Sequence, residues 1–564
     1  MNTASRPMYA WQDIPWRKVE RAVFKLQKRI YRASRRHDVN TVHKLQRLLL
    51  KSWYAKLLAT RRVTQDNRGR RTAGVDGVKS LTPPKRLRLA QSLSLSPKAQ
   101  PVRRVWIPKP GTSEYRPLGI PVMSDRAGQA LAKLALEPEW EAKFEPNSYG
   151  FRPGRSCHDA MEAIFASIKQ QDKYVLDADI EKCFDRICHQ ALVNKLHTFP
   201  SLSRTITAWL KAGVMDEEDL FPTETGAPQG GVLSPLLMNV ALHGLETAIT
   251  TAFPATKGGR RWQPQVIRYA DDLVVFHRDY NAIVQVQDIA SRWLQEMGLT
   301  LKPSKTRIGH TLHAVDGRAG FDFLSFQVRQ YPVGQTKTGK TGQGKPLGFK
   351  TLIRPSKAGQ RRHLHQMHEE VRRLRGASQE VLIKRLNPII QGWSNYYATV
   401  ASKKTFARMD QVLYANLRRW AQRRHPKKSA WWVSEKYWHP SQGQWRFKTT
   451  DEIKLAQHSA TAIRRHTKVA GRRSPYDGDW VYWASRLGRH PELSPKWAIL
   501  LKRQGGRCSW CGLYFKHGED VMELDHIIPK SQGGDGKIAN LQLLHGHCHD
   551  VKTAQDKAVE GTHD

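Results

Sequence analysis

Residues 266–276 read VIRYADDLVVF, in which one apolar run precedes Ala270, Asp271 and Asp272 and a second apolar run follows them. Two strand-like runs separated by so short a tip predict a β-hairpin, with the two acids at its turn. An isolated Asp-Asp pair usually marks nothing more than a turn. Here the acids stand among uninterrupted strand residues, where solvation alone explains them poorly.

A second acidic stretch, YVLDADIEKCFDRI, occupies residues 174–187. In an extended chain, alternation places Asp177 and Asp179 on one face and Ile180 on the other. Carboxylates at a hairpin tip, close to a third acid that ends another strand, provide oxygen ligands for two divalent cations. Two-metal phosphoryl transfer needs this arrangement, because one ion activates the attacking 3′ hydroxyl and the other stabilises the leaving pyrophosphate.

The chain of 564 residues is strongly basic, with 93 Lys and Arg against 50 Asp and Glu and a formal net charge of +43. Its 39% hydrophobic content excludes wholesale disorder. A basic excess on a folded chain indicates nucleic acid as a partner; the alternative is a surface charge that only keeps the chain soluble. We find no secretory signal and no apolar run of about 18 residues, so we expect no membrane partner.

Three of the six cysteines, Cys508, Cys511 and Cys548, lie within 41 residues near the C-terminus. This distribution is wrong for a disulfide scaffold and typical of a protein of the cytosol with one local metal site. The pair Cys508-x-x-Cys511 and the pair His545-x-x-Cys548 supply four ligands for tetrahedral, structural Zn²⁺. His547 is a nearby alternative to His545, and the spacing favours His545.

The acidic segments belong to a longer series of blocks. YADD after a strand, preceded by the acids of residues 174–187, resembles the palm of reverse transcriptases. Other blocks resemble further parts of that family and follow in its order: RRVWIPKPGTSEYRPLGIP (103–121), NSYGFRPGRSCHDA (147–160), GAPQGGVLSPLLMNVALHGLE (226–246), GLTLKPSKTRI (298–308) and GFDFLSF (320–326). NPIIQGWSNYY (387–397) resembles the maturase or X domain of bacterial group II intron-encoded proteins. Ser325 departs from the family, where many relatives have Gly.

The resemblance implies roles for individual residues of the polymerase. Asp179, Asp271 and Asp272 match the acids that hold two Mg²⁺ ions, whereas we assign no role to Asp177 or Asp185. The residues implied to bind the dNTP differ in what they contact. Lys109 and Arg116 match cations that grip the triphosphate, Phe184 matches the bulky side chain that excludes a ribose 2′-OH, and Gln229 matches a residue against the nucleotide. Lys305 matches a lysine near the primer; the alternative is an ordinary surface lysine.

The C-terminal module resembles the HNH nuclease motif. The resemblance rests on Glu523-Leu-Asp525-His526-Ile-Ile-Pro529, Gly533-Gly534, Asn540-Leu and Cys548-His549. It implies that His526 is the general base that activates water, and that Asp525 and His549 coordinate one catalytic divalent cation. Asn540 either orients the loop or completes the site through His526. The alternative for the whole module is a purely structural zinc ribbon.

The fold expected from these resemblances is a multidomain α+β protein. It comprises a right-hand polymerase with fingers and palm, a helical thumb or X domain, and a C-terminal ββα-metal HNH module. The expected domains are a basic helical extension (1–95), fingers and palm (96–330), thumb and maturase X domain (350–440), a DNA-binding region (441–500) and the HNH endonuclease (501–564). Residues 350–440 carry 20 Lys and Arg against 5 Asp and Glu, interleaved with aromatic residues, which suits RNA.

The function implied is that of a multifunctional group II intron-encoded protein. Such a protein makes cDNA by target-primed reverse transcription, assists splicing of its intron RNA, and cuts the target DNA strand that primes synthesis. The expected partners are intron RNA, double-stranded target DNA and dNTPs, in the bacterial cytoplasm or nucleoid. Two alternatives remain: a splicing-only maturase that is an RNA-binding cofactor, and a domesticated reverse transcriptase that acts outside an intron.

Overall fold

The computed structural model describes residues 10–109, 114–441 and 443–560. The expected N-terminal extension, the block at 103–121 and the expected nuclease domain each include residues that lie outside this part. Among the described residues the protein combines helical layers with several separate sheets, which confirms the α+β class predicted from the sequence.

The N-terminal helices pack around one central helix. The elements of this region are α1 (Trp16–Arg35), α2 (Val39–Lys51), α3 (Trp53–Arg61), α4 (Pro83–Ser92), β1 (Val102–Pro108), β2 (Tyr115–Ile120), α5 (Met123–Lys143) and α6 (Cys157–Ile168). Pro138 lies inside the buried α5 and has no N–H to donate to the carbonyl of Leu134. Gln27 Nε2 of α1 donates to that carbonyl at 2.9 Å, so the N-terminal helices satisfy a backbone group that α5 leaves open.

Two four-stranded sheets, in which most strand pairs are antiparallel, are completed by the next part of the chain. The elements of this region are β3 (Tyr174–Asp179), α7 (Cys183–Arg186), α8 (His189–Leu196), α9 (Pro200–Leu210), β4 (Val214–Asp216), β5 (Asp219–Phe221), α10 (Ser234–Ala241), α11 (Leu245–Thr251), β6 (Thr256–Lys257), β7 (Arg260–Arg261), β8 (Gln265–Tyr269), β9 (Asp272–His277), α12 (Tyr280–Gln295) and β10 (Arg307–His310). The first sheet has the order β2-β1-β4-β5, and the second has the order β10-β3-β9-β8. They are called the fingers sheet and the palm sheet below, after the regions expected from the sequence. The hairpin predicted at 266–276 is confirmed as β8 and β9.

A third sheet leads into a helical region. The elements here are β11 (Phe321–Phe323), β12 (Phe326–Pro332), β13 (Phe349–Pro355), α13 (Lys357–Arg373), α14 (Gln379–Tyr397), α15 (Lys403–Arg424), α16 (Ala430–Tyr437), β14 (Trp438–Ser441) and β15 (Gln444–Phe447). Strands β11, β12 and β13 pair in that order. Met367 and Val371 of α13 are buried against α14 and α15 and form part of the core of the region.

Residues 448–479, here called the connecting segment, cross back to the palm without regular secondary structure in the described chain. The backbone N–H of Val469 donates to Asp159 Oδ1 at 2.7 Å, and Tyr476 donates its hydroxyl to Glu137 at 2.8 Å. Asp159 is buried, which by itself would raise the pKa of its carboxyl. Hydrogen bonds from His466, Ser156 and Val469 instead lower that pKa to about 2. The connecting segment is therefore part of the packing of the palm.

The C-terminal module is small, and its described residues form two strands and three α-helices. Its elements are α17 (Trp480–Leu487), α18 (Pro495–Arg503), β16 (Met522–His526), β17 (Leu541–His545) and α19 (Gly546–Glu560). Strands β16 and β17 pair antiparallel, and α19 follows β17 directly and packs on both strands. This is a ββα arrangement, with its apolar side packed against α17 and α18.

Candidate functional site

The predicted acids meet at one end of the palm sheet. Asp179 ends β3 and lies directly opposite Asp272, the first residue of β9, in the antiparallel register. Asp271 belongs to the two-residue turn between β8 and β9. Their carboxylate oxygens do not form a group whose atoms all lie within 4.8 Å of one another, among the residues that the structure describes. The structure therefore brings the three acids to the same end of the sheet without closing them into a tight cluster.

Buried polar groups hydrogen-bond to the backbone of the turn that carries Asp271. Ala270 adopts a left-handed backbone with φ 59°. Arg268 Nη1 donates to the carbonyl of Ala270 and to Asn239 Oδ1, both at 3.1 Å. A Cβ atom at Gly150 would lie 2.3 Å from the backbone nitrogen of Ala270, so only glycine permits this close approach. The motifs did not single out Arg268, although a charged residue inside an apolar strand is a signal for such a role.

Burial at the acidic end of the sheet disfavours the ionised form of the carboxyl groups of Asp271 and Asp272 and raises their pKa. Burial, with repulsion from Asp271 and Asp179, raises the pKa of Asp272 to about 7. Burial also raises the pKa of Asp271, and it raises the pKa of Asp177 to about 6. A nearby cation relieves such repulsion. Lys305 Nζ lies 2.5 Å from Asp179 Oδ2, although more than half of the lysine side chain is exposed.

An open cleft of about 880 Å³ lies between the fingers sheet and the palm acids. It brings together all four residues predicted to bind the nucleotide: Lys109, Arg116, Phe184 and Gln229. Asp179 and Asp271 line the same cleft, whereas Asp272 is not among its lining residues. At its rim Lys109 Nζ and Glu114 Oε2 form an ion pair at 2.6 Å.

Two lysines that the motifs did not single out also line the cleft. They are Lys182 and Lys302. The backbone N–H of Lys302 donates to the carbonyl of Asp179 at 2.8 Å, which joins the segment before β10 to the end of β3. Lys182 follows Asp179 by three residues, and Lys302 precedes Lys305 by three. Their closeness in sequence to Asp179 and Lys305 is therefore the signal by which the sequence could have identified these two lysines.

Four side chains in the C-terminal module form a compact set of ligands. The ligand atoms of Cys508, Cys511, His545 and Cys548 all lie within 4.8 Å of one another. Cys511 Sγ lies 3.3 Å from His545 Nδ1. The ring of His547 stacks on His545 with centroids 5.3 Å apart but does not join the group. Three sulfurs and one imidazole are a donor set that fits tetrahedral zinc.

A second group of polar residues lies along β16 and α19. His549 Nδ1 is 2.7 Å from Glu523 Oε2, and His549 Nε2 is 3.9 Å from Asp525 Oδ1. A proton on Nδ1, donated to Glu523, leaves the Nε2 lone pair on the side of Asp525. One imidazole nitrogen and one carboxylate fit a hydrated divalent cation. Lys552 Nζ lies 3.2 Å from Asp525 Oδ2 and was not singled out from the sequence.

Asn540 makes its hydrogen bonds with the backbone of the loop between β16 and β17. Its Oδ1 accepts from the N–H of Ile528 at 2.9 Å, and its Nδ2 donates to the carbonyls of Ile528 at 3.0 Å and Asp535 at 2.8 Å. His526 precedes this loop at the end of β16. The geometry favours the alternative in which Asn540 orients the loop.

One further group, Asp172, His310 and His313, has ligand atoms within 4.8 Å of one another. It lies at the end of β3 away from the acids, because His310 is opposite Tyr174. The backbone N–H groups of Leu312 and His313 both donate to His310 Nδ1, at 3.2 and 3.0 Å. A neutral ring that accepts at Nδ1 carries its proton on Nε2, which then has no lone pair for a metal. We assign no metal site to this group.

None of the helices in the described part of the chain is both long and apolar enough to cross a membrane.

Comparison with known families agrees with the order of these regions. Four family profiles match successive parts of the chain. They are the N-terminal domain of reverse transcriptase (residues 11–93), the reverse transcriptase or RNA-dependent DNA polymerase (107–349), the group II intron maturase-specific domain (360–438) and the HNH endonuclease (508–555).

The acid-lined cleft and the ββα module thus belong to an enzyme that is both a reverse transcriptase and a DNA endonuclease. The maturase-specific match places it more narrowly. The chain belongs to the group II intron-encoded proteins that combine reverse transcriptase, maturase and HNH endonuclease domains.

Individual relatives cover different parts of the chain. Protein YkfC of Escherichia coli is 31% identical over 326 residues, which are 51% of this chain and 83% of the relative. The group II intron-encoded protein LtrA of Lactococcus lactis is 40% identical over 150 residues, 26% of this chain and 25% of the relative. A putative COX1/OXI3 intron 2 protein of Saccharomyces cerevisiae is 32% identical over 289 residues, which are 42% of this chain and 33% of the relative. The chain thus spans a quarter to a third of these two intron proteins.

Proposed function

We propose that the protein copies RNA into DNA at a cut target, assists splicing of the intron RNA that encodes it, and cleaves the DNA strand whose 3′ end primes the copy. One observation carries this proposal. A single chain holds a cleft that brings acids, basic side chains and an aromatic side chain together, and a separate ββα module with its own candidate ligands. Target-primed synthesis needs both chemistries, because the endonuclease must supply the 3′ hydroxyl that the polymerase extends.

In the polymerase, Asp179, Asp271 and Asp272 hold two Mg²⁺ ions. The donor set fits, because Mg²⁺ prefers carboxylate oxygens and keeps several waters. Bound by these carboxylates, two Mg²⁺ ions would supply Lewis-acid activation of the primer hydroxyl and stabilisation of the leaving pyrophosphate. The chain itself contributes position: Arg268 and Gly150 fix the turn that carries Asp271, so that its carboxylate does not have to be ordered when substrate binds.

The nucleotide lies between the fingers and the palm in this proposal. Lys109 and Arg116 bind its triphosphate, since charge-assisted hydrogen bonds to phosphate suit both side chains. Gln229 lies beside the base or sugar. The backbone N–H of Gly119 in β2 donates to the carbonyl of Gln229 at 2.6 Å, which holds this residue against the fingers strand.

Phe184 sets the sugar specificity of the proposed polymerase. We expect the substitution Phe184→Val to raise incorporation of rNTPs relative to dNTPs by about tenfold or more, because a smaller side chain leaves room for the 2′-OH. The measurement is the ratio of kcat/KM for matched dNTPs and rNTPs in primer extension. Phe221→Val is the control, because Phe221 is exposed on β5 and does not line the cleft. An unchanged ratio in the Phe184 variant contradicts the assignment.

In the nuclease, His526 takes a proton from the attacking water, and Asp525 and His549 hold one divalent cation. When bound, that cation stabilises the leaving 3′ oxygen. Glu523 accepts the Nδ1 proton of His549 and so fixes the tautomer that presents Nε2. Asn540 keeps the loop after His526 in place through its backbone hydrogen bonds.

Cys508, Cys511, His545 and Cys548 hold a structural Zn²⁺ in this proposal. A strong zinc chelator is therefore expected to unfold residues 501–560 while the palm keeps its structure, since binding of structural zinc contributes directly to folding. Amide hydrogen exchange followed by peptide mass spectrometry measures both regions in one sample. The strands β3 and β9 are the internal control. Equal loss of protection in the palm and in the module would argue against a local zinc site.

The basic surface is proposed to bind the intron RNA. The excess of 15 positive charges in residues 350–440 is spread over β13, the helices α13 to α16 and the turns between them, with aromatic side chains such as Trp431 exposed among them. Phosphate contacts of this kind give binding that weakens steeply with salt. Target DNA and dNTPs are the other partners. We place the activity in the bacterial cytoplasm at the nucleoid, where both the intron RNA and the target DNA are present.

Primer extension on an RNA template, with and without the cognate intron RNA, tests the proposal. Extension from a supplied primer, together with faster intron splicing in the presence of the protein, is the expected result. Splicing without extension would favour a splicing-only maturase. Extension without any effect on splicing, and no intron ends in the flanking DNA, would favour a domesticated reverse transcriptase.

A further inference from the structure

Phe151 has an unusual backbone for its residue type. It follows Gly150 in the block at 147–160, its φ is 57°, and its side chain is 52% exposed. The left-handed region brings Cβ close to the neighbouring carbonyl, so a bulky side chain there is strained and glycine or asparagine is preferred. A strained, exposed aromatic residue gains little from burial, and such residues persist mainly where function requires them.

The chain on both sides of Phe151 is fixed, which prevents the strain from relaxing. On one side the carbonyl of Gly150 accepts a hydrogen bond from Asn239 Nδ2 at 2.8 Å, beside the turn that carries the catalytic acids. On the other side the buried guanidinium of Arg152 makes two hydrogen bonds to Glu141, at 2.8 and 2.9 Å. Phe151 is thus held at a set distance from the catalytic turn.

The ring of Phe151 contacts the ring of Phe184. Their centroids are 6.4 Å apart and their planes are inclined at 76°, an edge-to-face arrangement. Phe184 is only partly buried: one part of its side chain packs on the hydrophobic core, and another part lines the cleft. An aromatic pair in this geometry attracts beyond simple burial and restricts the rotation of both rings.

We propose that Phe151 is a positioning residue for sugar selection, because its ring holds Phe184 against the place where a 2′-OH would lie. This inference rests on the proposed role of Phe184. The left-handed backbone of Phe151 places its ring against Phe184. The neighbouring Gly150 is hydrogen-bonded to Asn239 beside the turn that carries Asp271, which fixes the position of that ring relative to the acids. Phe151 does not itself need to touch the nucleotide.

The test compares Phe151→Gly with Phe151→Tyr in primer extension. Glycine removes the ring and also relieves the left-handed strain, so we expect a melting temperature within about 2 °C of the parent protein. The preference for dNTPs over rNTPs should fall by about 3- to 10-fold, the range expected when an aromatic pair is lost. Tyrosine keeps the ring and should keep the preference. A merely structural role would lower stability and leave the ratio unchanged, and that result would overturn the proposal.

A double-variant cycle separates this inference from the proposed role of Phe184. If Phe151 acts through Phe184, Phe151→Gly should have no further effect on the ratio once Phe184→Leu is present. Effects that multiply independently would overturn the inference, since Phe151 would then act on the nucleic acid directly. If Phe184→Leu alone leaves the ratio unchanged, the proposed role of Phe184 fails, and the inference fails with it.

Discussion

Replacing Asp271 with asparagine is expected to reduce cDNA synthesis about a thousandfold or more, equivalent to about 4 kcal/mol of transition-state stabilisation. Asparagine has nearly the same shape as aspartate but lacks its charge, so the turn between β8 and β9 should fold normally. The loss would therefore come from weaker cation binding beside Asp179 and Asp272. Primer extension on an RNA template, with Mg²⁺ varied at saturating dNTP, measures it.

Two observations decide the Asp271 prediction. Asp288→Asn is the control, because Asp288 is an exposed acid on α12, on the same palm but outside the cleft. Intron RNA binding and splicing by the Asp271 variant should remain close to the parent, since the basic surface is unchanged. Polymerisation that survives the substitution at normal rates would mean that Asp271 holds no catalytic metal.

The substitution His526→Ala is expected to slow cleavage of target DNA about a hundredfold or more, the usual contribution of a general base. Extension from a supplied primer should be unaffected, because His526 lies in the ββα module and outside the polymerase cleft. A supercoiled or end-labelled DNA target, incubated with the ribonucleoprotein, reports the cut strand. The variant should therefore fail on an intact target and recover on a target that is already cut.

His517→Ala is the matched control for His526, because His517 is an exposed histidine of the same module and packs on Trp480. It should leave both activities intact. If purified His526→Ala protein still cuts target DNA at the parent rate, another group activates the water and the assignment is wrong.

Local sequence patterns predicted the strands that carry the polymerase acids. Alternation placed Asp179 at the end of a strand, and the apolar runs around Asp271 predicted the hairpin. Both features depend on residues that are adjacent in sequence, so the local pattern of apolar and acidic residues was sufficient to predict them. The Cys and His spacing likewise predicted a set of four ligands for one metal ion, and the structure brings His545 and not His547 into that set.

Other features depend on contacts between residues that are distant in sequence, and a local pattern marks at most one of the partners, as the charged Arg268 inside an apolar strand does. The buried support of the turn between β8 and β9 by Arg268 and Asn239 joins residues from different elements. The contact between Phe151 and Phe184 joins two separate blocks, and Phe151 makes it with a left-handed backbone that its residue type disfavours. The connecting segment has no periodicity, since its order comes from hydrogen bonds to the palm and not from its own secondary structure.

The connecting segment also limits where the chain can be shortened. A stop codon or a proteolytic cut before residue 448 would remove Val469 and His466 from the buried carboxylate of Asp159. An interior carboxylate without its donors destabilises the palm. A truncated form that still copies RNA is therefore expected to end beyond α17. Genes that have discarded the nuclease should accordingly retain the coding sequence for residues 448–487, even though these residues lie after the polymerase and maturase regions.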